Sequence, residues 1–477
     1  MRKLYFYLLA SFLLGVSLLA CKPWDDHLAL SDDKLGRNLL EEISNQPNLS
    51  KFKDLLVSSG FDKIISSSKN YTVFAPTNTA LEKLDLSTLK DSTALKAFVG
   101  NHIALQQYAL STEEQRVRLL NDKYLSITKT AVGDAGVVSA NSFVSNGVLH
   151  TIDKYNDVLP NLWTYVNNTK TDYVQNKVLA NLTYLSFNAA KAIVDSISAT
   201  TGQPVYRKGS GFEQKNQFSD LVYDLSDETK QFTYFVLADA AFASEITKLN
   251  PYFKTSTTDS TYNAASWNVI KDLAVEGYYN VDKLPESLTS KFGVTIPIVK
   301  SAIVKSIKLS NGILHVMSKV DFKVQEKIQP IVIQGETYNE QLQTVGSRVI
   351  VVRDRFNLVT NQNFKDLSII AHGVSNFWVK YRVPQVPAMK YKVYWVALND
   401  QTRNHSSNSL PITVNQKLAM GSLSSATFAY TAVANNNFSE VLLGEFTTTG
   451  YRTLDIYLVA NGTNSMALDY IKLVPSF

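Results

Sequence analysis

The chain has 477 residues, a formal net charge of +5 and one cysteine, and 45% of its residues are hydrophobic. One cysteine excludes a disulfide within the chain, and a weak, dispersed positive charge gives no support for nucleic acid as a partner. The sequence contains no GxSxG, HExxH or phosphate-loop motif and no Cys/His cluster with metal-ligand spacing. Its length suggests three domains of ordinary size, which must be stabilised by packing.

The N-terminus has the pattern of a secretory signal. Two basic residues precede an apolar run from 4 to 20, and Cys21 follows. A basic tip, an apolar stretch and small residues at the cut predict removal of residues 1–20. A cysteine just after the cut resembles the lipobox of bacterial lipoproteins, which implies lipidation of Cys21 and attachment to a membrane. The alternative is a transmembrane helix, for which the run is short and is diluted by Gly15 and Ser17.

Residues 21–34 are predicted to be a tether that leads from the lipid to the first domain. Asp25 and Asp26 lie shortly after the cysteine. Acidic residues at this place resemble the surface-export signal of lipoproteins from Bacteroidetes-like bacteria, although Trp24 departs from that pattern. The resemblance implies an outer-membrane lipoprotein that faces the cell exterior. A flexible tether explains the same residues, and both interpretations can hold together.

Two sequence patterns occur twice, in the same order. Residues 71–81 (YTVFAPTNTAL) return as 232–242, which is 161 positions later, and residues 145–154 (SNGVLHTIDK) return as 310–319, which is 165 positions later. Two patterns at nearly one offset indicate a duplicated domain. In each first copy, the residue types predict a β-strand that stops at a proline and a tight Asn-Gly turn before a buried returning strand.

These patterns resemble the first and last signature boxes of the fasciclin domain, and Asn101-His102-Ile103 resembles its central histidine segment. The resemblance implies two α+β domains, at 35–160 and 161–325. The second copy departs from the family: it has Leu237-Ala238 in place of Pro-Thr and Val275 to Tyr278 in place of the histidine segment. It also has a polar insertion at 201–216.

The fasciclin resemblance implies adhesion, or binding of protein or polysaccharide at a cell surface, without shared catalytic machinery. We expect His102 and His150 to be hydrogen-bonded structural residues, the alternative being ligands or bases. No catalytic residue and no metal ligand is therefore assigned.

The C-terminal third has a different pattern. Residues 323–329 are predicted to be a linker, and β-rich runs then alternate with polar turns, which predicts an all-β jelly-roll sandwich at 330–477. The ending 468–475 (LDYIKLVP) resembles the last strand of carbohydrate-binding-module-like and galactose-binding-like jelly rolls, and 377–384 with 391–395 resembles their central pair. The predicted strands are 349–352, 377–383, 391–398, 428–432, 441–447, 453–459 and 467–473.

Strand alternation separates the aromatic residues of the predicted central pair into two faces. Phe377 and its alternate neighbours are expected to be buried, whereas Trp378, Lys380 and Arg382 share the solvated face, and Tyr394 points away from the core of the next strand. Flat rings beside cationic donors suit a sugar, because pyranose C–H groups pack on the ring while the hydroxyls are hydrogen-bonded. These four residues are the candidate ligand site. The favoured alternative is that a loop or the neighbouring domain covers these residues.

Other features of the sandwich stay open. The polar loop at 399–409 is either a binding loop or a solvated connection. No cofactor is expected, but a structural calcium ion in the jelly roll is possible in principle, because backbone carbonyls can bind calcium without leaving a motif.

The combined interpretation is a lipid-anchored, surface-exposed, non-enzymatic protein that binds polysaccharide as an accessory of glycan uptake. The alternative is an adhesion or assembly protein that binds a surface protein through its fasciclin-like domains. A glycan-active enzyme is disfavoured, because the sequence offers no carboxylate pair whose separation can be judged.

Overall fold

The computed structural model describes residues 33–67, 69–346, 349–357, 359–400, 402–405 and 408–477. Cys21 and the predicted signal lie outside these residues. The chain divides into two compact units. Among the described residues, the first contains 33–165 with 225–231 and 308–312, and the second contains the rest. Because this division does not follow the predicted domain boundaries, those boundaries stay predictions.

The first unit combines short helices with one mixed sheet. Its helices are α1 Leu39–Ser44, α2 Ser50–Ser59, α3 Asp62–Ile65 and α4 Ser92–Gly100. Its strands are β1 Tyr71–Pro76, β2 Ile103–Ala104, β3 Gln115–Arg118, β4 Tyr124–Ile127, β5 Ala131–Val132, β6 Ala135–Val144 and β7 Gly147–Ile152. The sheet order is β2-β1-β7-β6-β5-β4-β3, with β1 and β7 parallel.

Local sequence explains how this unit begins. Asn38 accepts a hydrogen bond from the Glu41 amide, and the Glu41 side chain accepts one from the Asn38 amide, so α1 starts with a capping box. The apolar faces of the helices then bury Leu39 and Phe52 in one core with strand residues such as Val73. The signature-box strands β1 and β7 are buried along their whole length because this core covers them.

The second occurrences of the repeat form the same elements as the first. The helices in this part are α5 Leu162–Asn168, α6 Val174–Asn181, α7 Gln217–Leu221, α8 Asp239–Leu249 and α9 Thr258–Ile270. The strands are β8 Thr183–Phe187, β9 Val194–Ile197, β10 Pro204–Tyr206, β11 Phe212–Asn216, β12 Phe232–Leu237, β13 Ala274–Glu276, β14 Ser287–Thr289, β15 Thr295–Pro297, β16 Ile303–Leu309 and β17 Gly312–Met317. Strands β12 and β17 are neighbours, as β1 and β7 are.

The insertion in the second copy differs from the predicted polar segment. It extends from residue 183 to 216 and forms two small sheets, β8 with β11 and β9 with β10. We name residues 183–216 the arm. It exposes eight large apolar side chains, because a two-stranded ribbon has no second layer to cover them. They are Tyr184, Leu185, Phe187, Ile193, Val194, Ile197, Val205 and Phe212.

The predicted linker at 323–329 is an ordered segment, and its role as a linker stays a prediction. It contains a short helix, α10 Val324–Lys327, and Lys327 is buried in an ion pair with Asp272. This pair could not be predicted from the sequence, because Asp272 lies 55 positions from Lys327.

The C-terminal part is built of strands β18 Ile331–Gln334, β19 Glu340–Gln341, β20 Ile350–Asn357, β21 Gln362–Ile369, β22 Trp378–Val386, β23 Lys390–Val396, β24 Thr402–His405, β25 Asn408–Pro411, β26 Asn415–Met420, β27 Thr431–Ala432, β28 Val441–Thr447, β29 Arg452–Ala460, β30 Met466–Leu468 and β31 Tyr470–Ser476. Two main sheets have the orders β18-β31-β23-β28 and β19-β22-β29-β26-β27. A strand occurs in every predicted run, but β18, β19, β21 and β24–β26 were not predicted.

The predicted central pair is not a pair. β22 belongs to the five-stranded sheet and β23 to the four-stranded sheet. Their inner side chains, such as Tyr381 and Trp395, are fully buried, and the Tyr381 hydroxyl donates to Gly335 O at 2.8 Å, beside the end of β18. The two sheets therefore face each other across one core, and their outer faces point in opposite directions.

Candidate functional site

The four predicted ligand residues do not form one cluster. Trp378, Lys380 and Arg382 lie on β22 and point away from the core, on the outer face of the five-stranded sheet. Tyr394 lies on β23, on the outer face of the four-stranded sheet. Because the outer faces of a sandwich are on opposite sides, Tyr394 cannot contact a ligand that rests on the other three.

The sequence left open whether Trp378 is exposed or covered. Its side chain is half-buried, which lies between these two alternatives. Its ring and that of Tyr457 are in edge-to-face contact, with centroids 5.4 Å apart and an interplanar angle of 82°. This T-shaped contact orients the indole on the sheet. Tyr457 lies on the neighbouring strand β29, directly opposite Lys380, so strand register brings the two rings together.

Lys380 was expected to be exposed on the solvated face. It is instead buried, with only 6% of the residue exposed. Its ammonium group forms an ion pair with Glu340 at 2.5 Å. Glu340 is on the edge strand β19, opposite Lys380 in register. Since β19 was not among the predicted strands, this partner could not be predicted. Lys380 therefore pairs with the neighbouring strand of its own sheet and is not free to bind a ligand.

Arg382 is exposed and borders a cleft of about 330 Å³. Its guanidinium group contacts Asp455 at 3.2 Å, and this contact raises the pKa of the arginine further. The cleft is lined by Arg382, Gly421, Arg452, Thr453, Leu454 and Asp455. A volume of this size is at the lower end of small-ligand pockets.

Two more residues of this face were missed by the sequence analysis. Lys417 on β26 lies over the ring of Tyr430, 4.8 Å from its centroid. Lys417 pairs with Val459, which in turn pairs with Trp378, so these three residues lie in one row across the sheet. Alternation within β26 would have placed Lys417 outside, but the pairing of β26 with β29 cannot be read from one strand.

We name the outer side chains Trp378, Tyr457, Tyr430, Lys417 and Arg382 the aromatic face. It combines three half-buried rings with two cations and is continuous with the cleft. Rings offer flat apolar area, and cations and the Asp455 carboxylate offer hydrogen bonds. The arrangement can bind a ligand that is apolar on one side and rich in hydroxyls at its edges.

The outer face of the other sheet is different. Tyr394 is half-buried and lies opposite Lys472 and Leu442 on its two neighbouring strands. Lys472 is paired with Glu440 at 2.8 Å, and the Tyr470 hydroxyl donates to the same carboxylate at 3.0 Å. Lys472 and Glu440, the charged groups described near Tyr394, therefore neutralise each other.

The predicted polar loop at 399–409 is only partly described. Asn399 is buried and its amide donates to Ile412 O and Asn435 Oδ1, both at 2.9 Å. Asp400 forms an ion pair with Arg353 at 2.8 Å. The start of the loop is therefore fixed, and residues 401, 406 and 407 lie outside the described part.

The histidines of the repeat are structural. His150 Nε2 lies 3.0 Å from Tyr108 O, and its ring stacks on Phe74. His315 has the same neighbours in the second copy, with Nε2 2.8 Å from Tyr279 O and its ring stacked on Phe235. Burial lowers the pKa of both rings, so they are neutral packing groups.

His102 is fully buried and satisfied by the backbone. Its Nδ1 donates to Phe98 O at 2.9 Å, and its Nε2 accepts from the Asn156 amide at 3.1 Å. Burial lowers the pKa of His102 to about 4. A ring whose two nitrogens are both occupied can neither bind a metal nor transfer a proton to a ligand.

The described residues contain no group of three or more His, Cys, Asp or Glu side chains arranged to hold a metal ion. No described helix has the length and apolar character to cross a membrane. Cys21, the predicted lipid attachment, lies outside the part of the chain that the structure describes.

Comparison with family models gives a match to the fasciclin domain at residues 47–155. This stretch is therefore similar to a fasciclin domain. It contains His102 and His150, whose surroundings were described above, and both signature boxes of the first copy. The match covers under a quarter of the chain, so it does not extend to the second copy or to the sandwich.

Three solved structures resemble parts of the chain at low TM-scores. The FAS1 domain pair of the insect cell adhesion molecule Fasciclin I is 16% identical, covers 59% of this chain and 99% of its own, and has a TM-score of 0.23. The CBM36-1 domain of a multidomain xylanase from the hindgut metagenome of Trinervitermes trinervoides is 13% identical, with 31% and 99% covered and a TM-score of 0.21.

A family 35 carbohydrate-binding module from Clostridium thermocellum is 10% identical, with 31% and 99% covered and a TM-score of 0.22. At these scores the likenesses carry no argument about function. No curated protein matches the chain.

Proposed function

We propose that this protein is a non-enzymatic binding protein, anchored outside the cell by a lipid on Cys21, that recognises polysaccharide through its C-terminal sandwich as an accessory of glycan uptake. The observation that supports the proposal is the aromatic face, where Trp378 and Tyr457 stand beside the Arg382 cleft. Sugar rings stack on such aromatic groups, and their hydroxyls bond to neighbouring charged groups.

The strand geometry fits an extended ligand better than a single small molecule. Trp378 and Arg382 are four residues apart on β22, which corresponds to about 13 Å along the sheet. The stacking surface and the cleft can thus be occupied at once by one chain of sugars. The fasciclin domain and the second copy would act as the spacer between the lipid and this face.

The experiment is affinity electrophoresis of the chain without its first 21 residues, on gels that contain plant and host polysaccharides. We expect retardation by at least one polymer, and a roughly fivefold weaker effect for Trp378→Ala, since loss of a stacked ring removes about 1 kcal/mol. Tyr394→Ala is the matched control, because it removes a half-buried ring from the opposite face. Equal retardation of both variants would remove the aromatic face from the proposal.

A second candidate function is supported by the arm. Its exposed side chains include Leu185, 71% exposed, and Ile197, 61% exposed, and Phe187 contacts Tyr206 of the other small sheet with ring centroids 5.0 Å apart. A group of exposed apolar side chains of this kind is typical of protein–protein contacts. The candidate is an adhesion or assembly protein that binds a surface protein through the second copy.

Pull-down from an outer-membrane extract separates the two candidates. We expect a protein retained by the native chain to be lost with Leu185→Ser and Ile197→Ser together, while Trp378→Ala keeps it. If the arm variant retains every protein that the native chain retains, the arm is not a binding surface and this second candidate fails.

A further inference from the structure

The cleft beside the aromatic face has an excess of positive charge. Arg382 and Arg452 line it, and Asp455 is the one carboxylate among its lining residues. Asp455 is engaged by Arg382 at 3.2 Å. Among the described residues, no carboxylate forms an ion pair with Arg452, which is exposed. One guanidinium group in the cleft is therefore available to a ligand.

The rest of the aromatic face adds to this charge. The Lys380 ammonium is neutralised by Glu340, but Lys417 lies over Tyr430 and has no carboxylate partner among the described residues. Counted over the face and the cleft, the cations exceed the anions by two. A field of this sign attracts a polyanion and repels none of the hydroxyl groups that a neutral sugar would offer.

Arginine is chemically selective among anions. Its planar guanidinium forms two parallel hydrogen bonds with a carboxylate, whereas a lysine acts as a point charge. Next to Arg452 the cleft is also lined by Thr453 and by Gly421, whose amide donates to Asp455 O at 2.7 Å. The cleft thus offers a fork for one carboxylate, and its volume of about 330 Å³ suits a small ring.

We propose that the polysaccharide recognised by the sandwich is acidic, and that the cleft holds the carboxylate of a uronic acid residue on Arg452 while neighbouring sugars stack on Trp378. This inference rests on the proposed glycan binding and names its ligand class. Arg382 stays paired with Asp455 and positions the wall of the cleft, whereas Arg452 contacts the ligand.

The test compares polymers that differ only in their carboxylates. The chain without its first 21 residues is run on gels with polygalacturonate, with fully methyl-esterified polygalacturonate and with dextran sulfate. We expect retardation by polygalacturonate, little by the ester, and at least tenfold weaker retardation for Arg452→Gln. Arg452→Lys keeps the positive charge but removes the planar guanidinium group, and it should recover only part of the retardation by polygalacturonate. Lys392→Gln, an exposed cation on the other sheet, is the matched control and should behave as the native chain.

Each other outcome overturns the inference in an identifiable way. Equal retardation by the acid and the ester, unchanged in Arg452→Gln, would leave glycan binding intact and remove the acidic ligand. Equal retardation by dextran sulfate, with Arg452→Lys as effective as arginine, would show general charge attraction instead of carboxylate recognition. If neither these nor neutral polymers retard the chain, the proposed function fails and the inference fails with it.

Discussion

Asn146 and Asn311 make the same set of hydrogen bonds at equivalent places in the two copies. Asn146 Oδ1 accepts from the Leu39 amide, and its Nδ2 donates to Ile65 O and Ser67 O. Asn311 Oδ1 accepts from the Leu162 amide, and its Nδ2 donates to two main-chain oxygens in the same way. The turn asparagine is therefore the residue that ties each returning strand to the helix that begins its own copy.

Replacement of this asparagine should be costly. Asn311→Ala leaves one amide and two carbonyl groups without their partner, each of which costs about 1–3 kcal/mol when it stays buried. We expect a loss of at least about 2 kcal/mol in the free energy of unfolding, measured by urea denaturation followed by circular dichroism. Asn70→Ala, at an exposed asparagine, should change it by less than about 0.5 kcal/mol. Equal effects at the two positions would mean that the hydrogen bonds of Asn311 are dispensable.

The buried His102 should make the stability of the protein depend on pH. The folded-state pKa is lowered to about 4 from an ordinary value of 6.5, so the unfolded chain binds a proton in this window and the folded chain does not. Stability from this group is complete above pH 6.5 and is lost as the pH falls towards 4, by up to about 3 kcal/mol.

The measurement is urea denaturation of the native chain and His102→Gln at pH 7.5, 5.5 and 4.5. We expect the variant to be less stable at pH 7.5, because it leaves a cavity and an altered bond to Asn156, but to lose less stability on acidification. Parallel pH profiles for the two proteins would contradict a neutral buried imidazole.

The repeat and the strands could be predicted because their signals are local. A proline after a β-rich run, an Asn-Gly turn and period-two alternation each lie within ten residues of sequence, and β1, β7 and the inner row of β22 follow from them. The buried rings of Tyr381 and Trp395 obey the same alternation.

What could not be predicted depends on pairing between distant strands. Lys380 looked exposed by alternation, but Glu340 lies beside it on an edge strand of two residues. Trp378 and Tyr394 looked like neighbours because their strands are consecutive, yet the chain crosses from one sheet to the other between them. One sequence does not show which strands pair. The outward-facing residues of each strand could therefore be predicted, but not which of them lie together in one site.

The ion pair between Lys327 and Asp272 should stabilise the end of the second copy only while both partners are present. The two side chains are fully buried with 2.7 Å between Nζ and Oδ2, and Asp272 also accepts from Ser290. Lys327→Met would leave a buried carboxylate without its cation, at a cost of about 3–5 kcal/mol. Lys327→Met combined with Asp272→Asn should recover part of this loss.

A double-mutant cycle by chemical denaturation measures the coupling of this pair. Lys323→Met is the matched control, because its side chain is 76% exposed and 3.9 Å from Glu326, and we expect it to be near neutral. Additive effects of the two substitutions at 327 and 272 would contradict a coupled pair.

Asp469 should make the sandwich less stable at alkaline pH. Burial, with the negative charges of Asp366 and Glu336, raises the pKa of Asp469 to about 7 from 3.8. The folded chain then holds a proton that the unfolded chain releases, so the free energy of unfolding falls as the pH rises from about 4 to about 7 and stays low above that. Asp469→Asn removes the charge without changing the shape, and we expect it to raise the Tm at pH 8 and to leave it nearly unchanged at pH 4.

Thermal unfolding of both proteins at pH 4, 6 and 8 tests this, in EDTA so that no divalent cation neutralises the carboxylates. Repeating the pH 8 scan with calcium shows whether these carboxylates accept an ion, because a bound cation would stabilise the native chain more than Asp469→Asn. A variant that is less stable than the native chain at pH 8 in EDTA would mean that the ionised carboxylate is stabilised in the fold, and the raised pKa of Asp469 would be wrong.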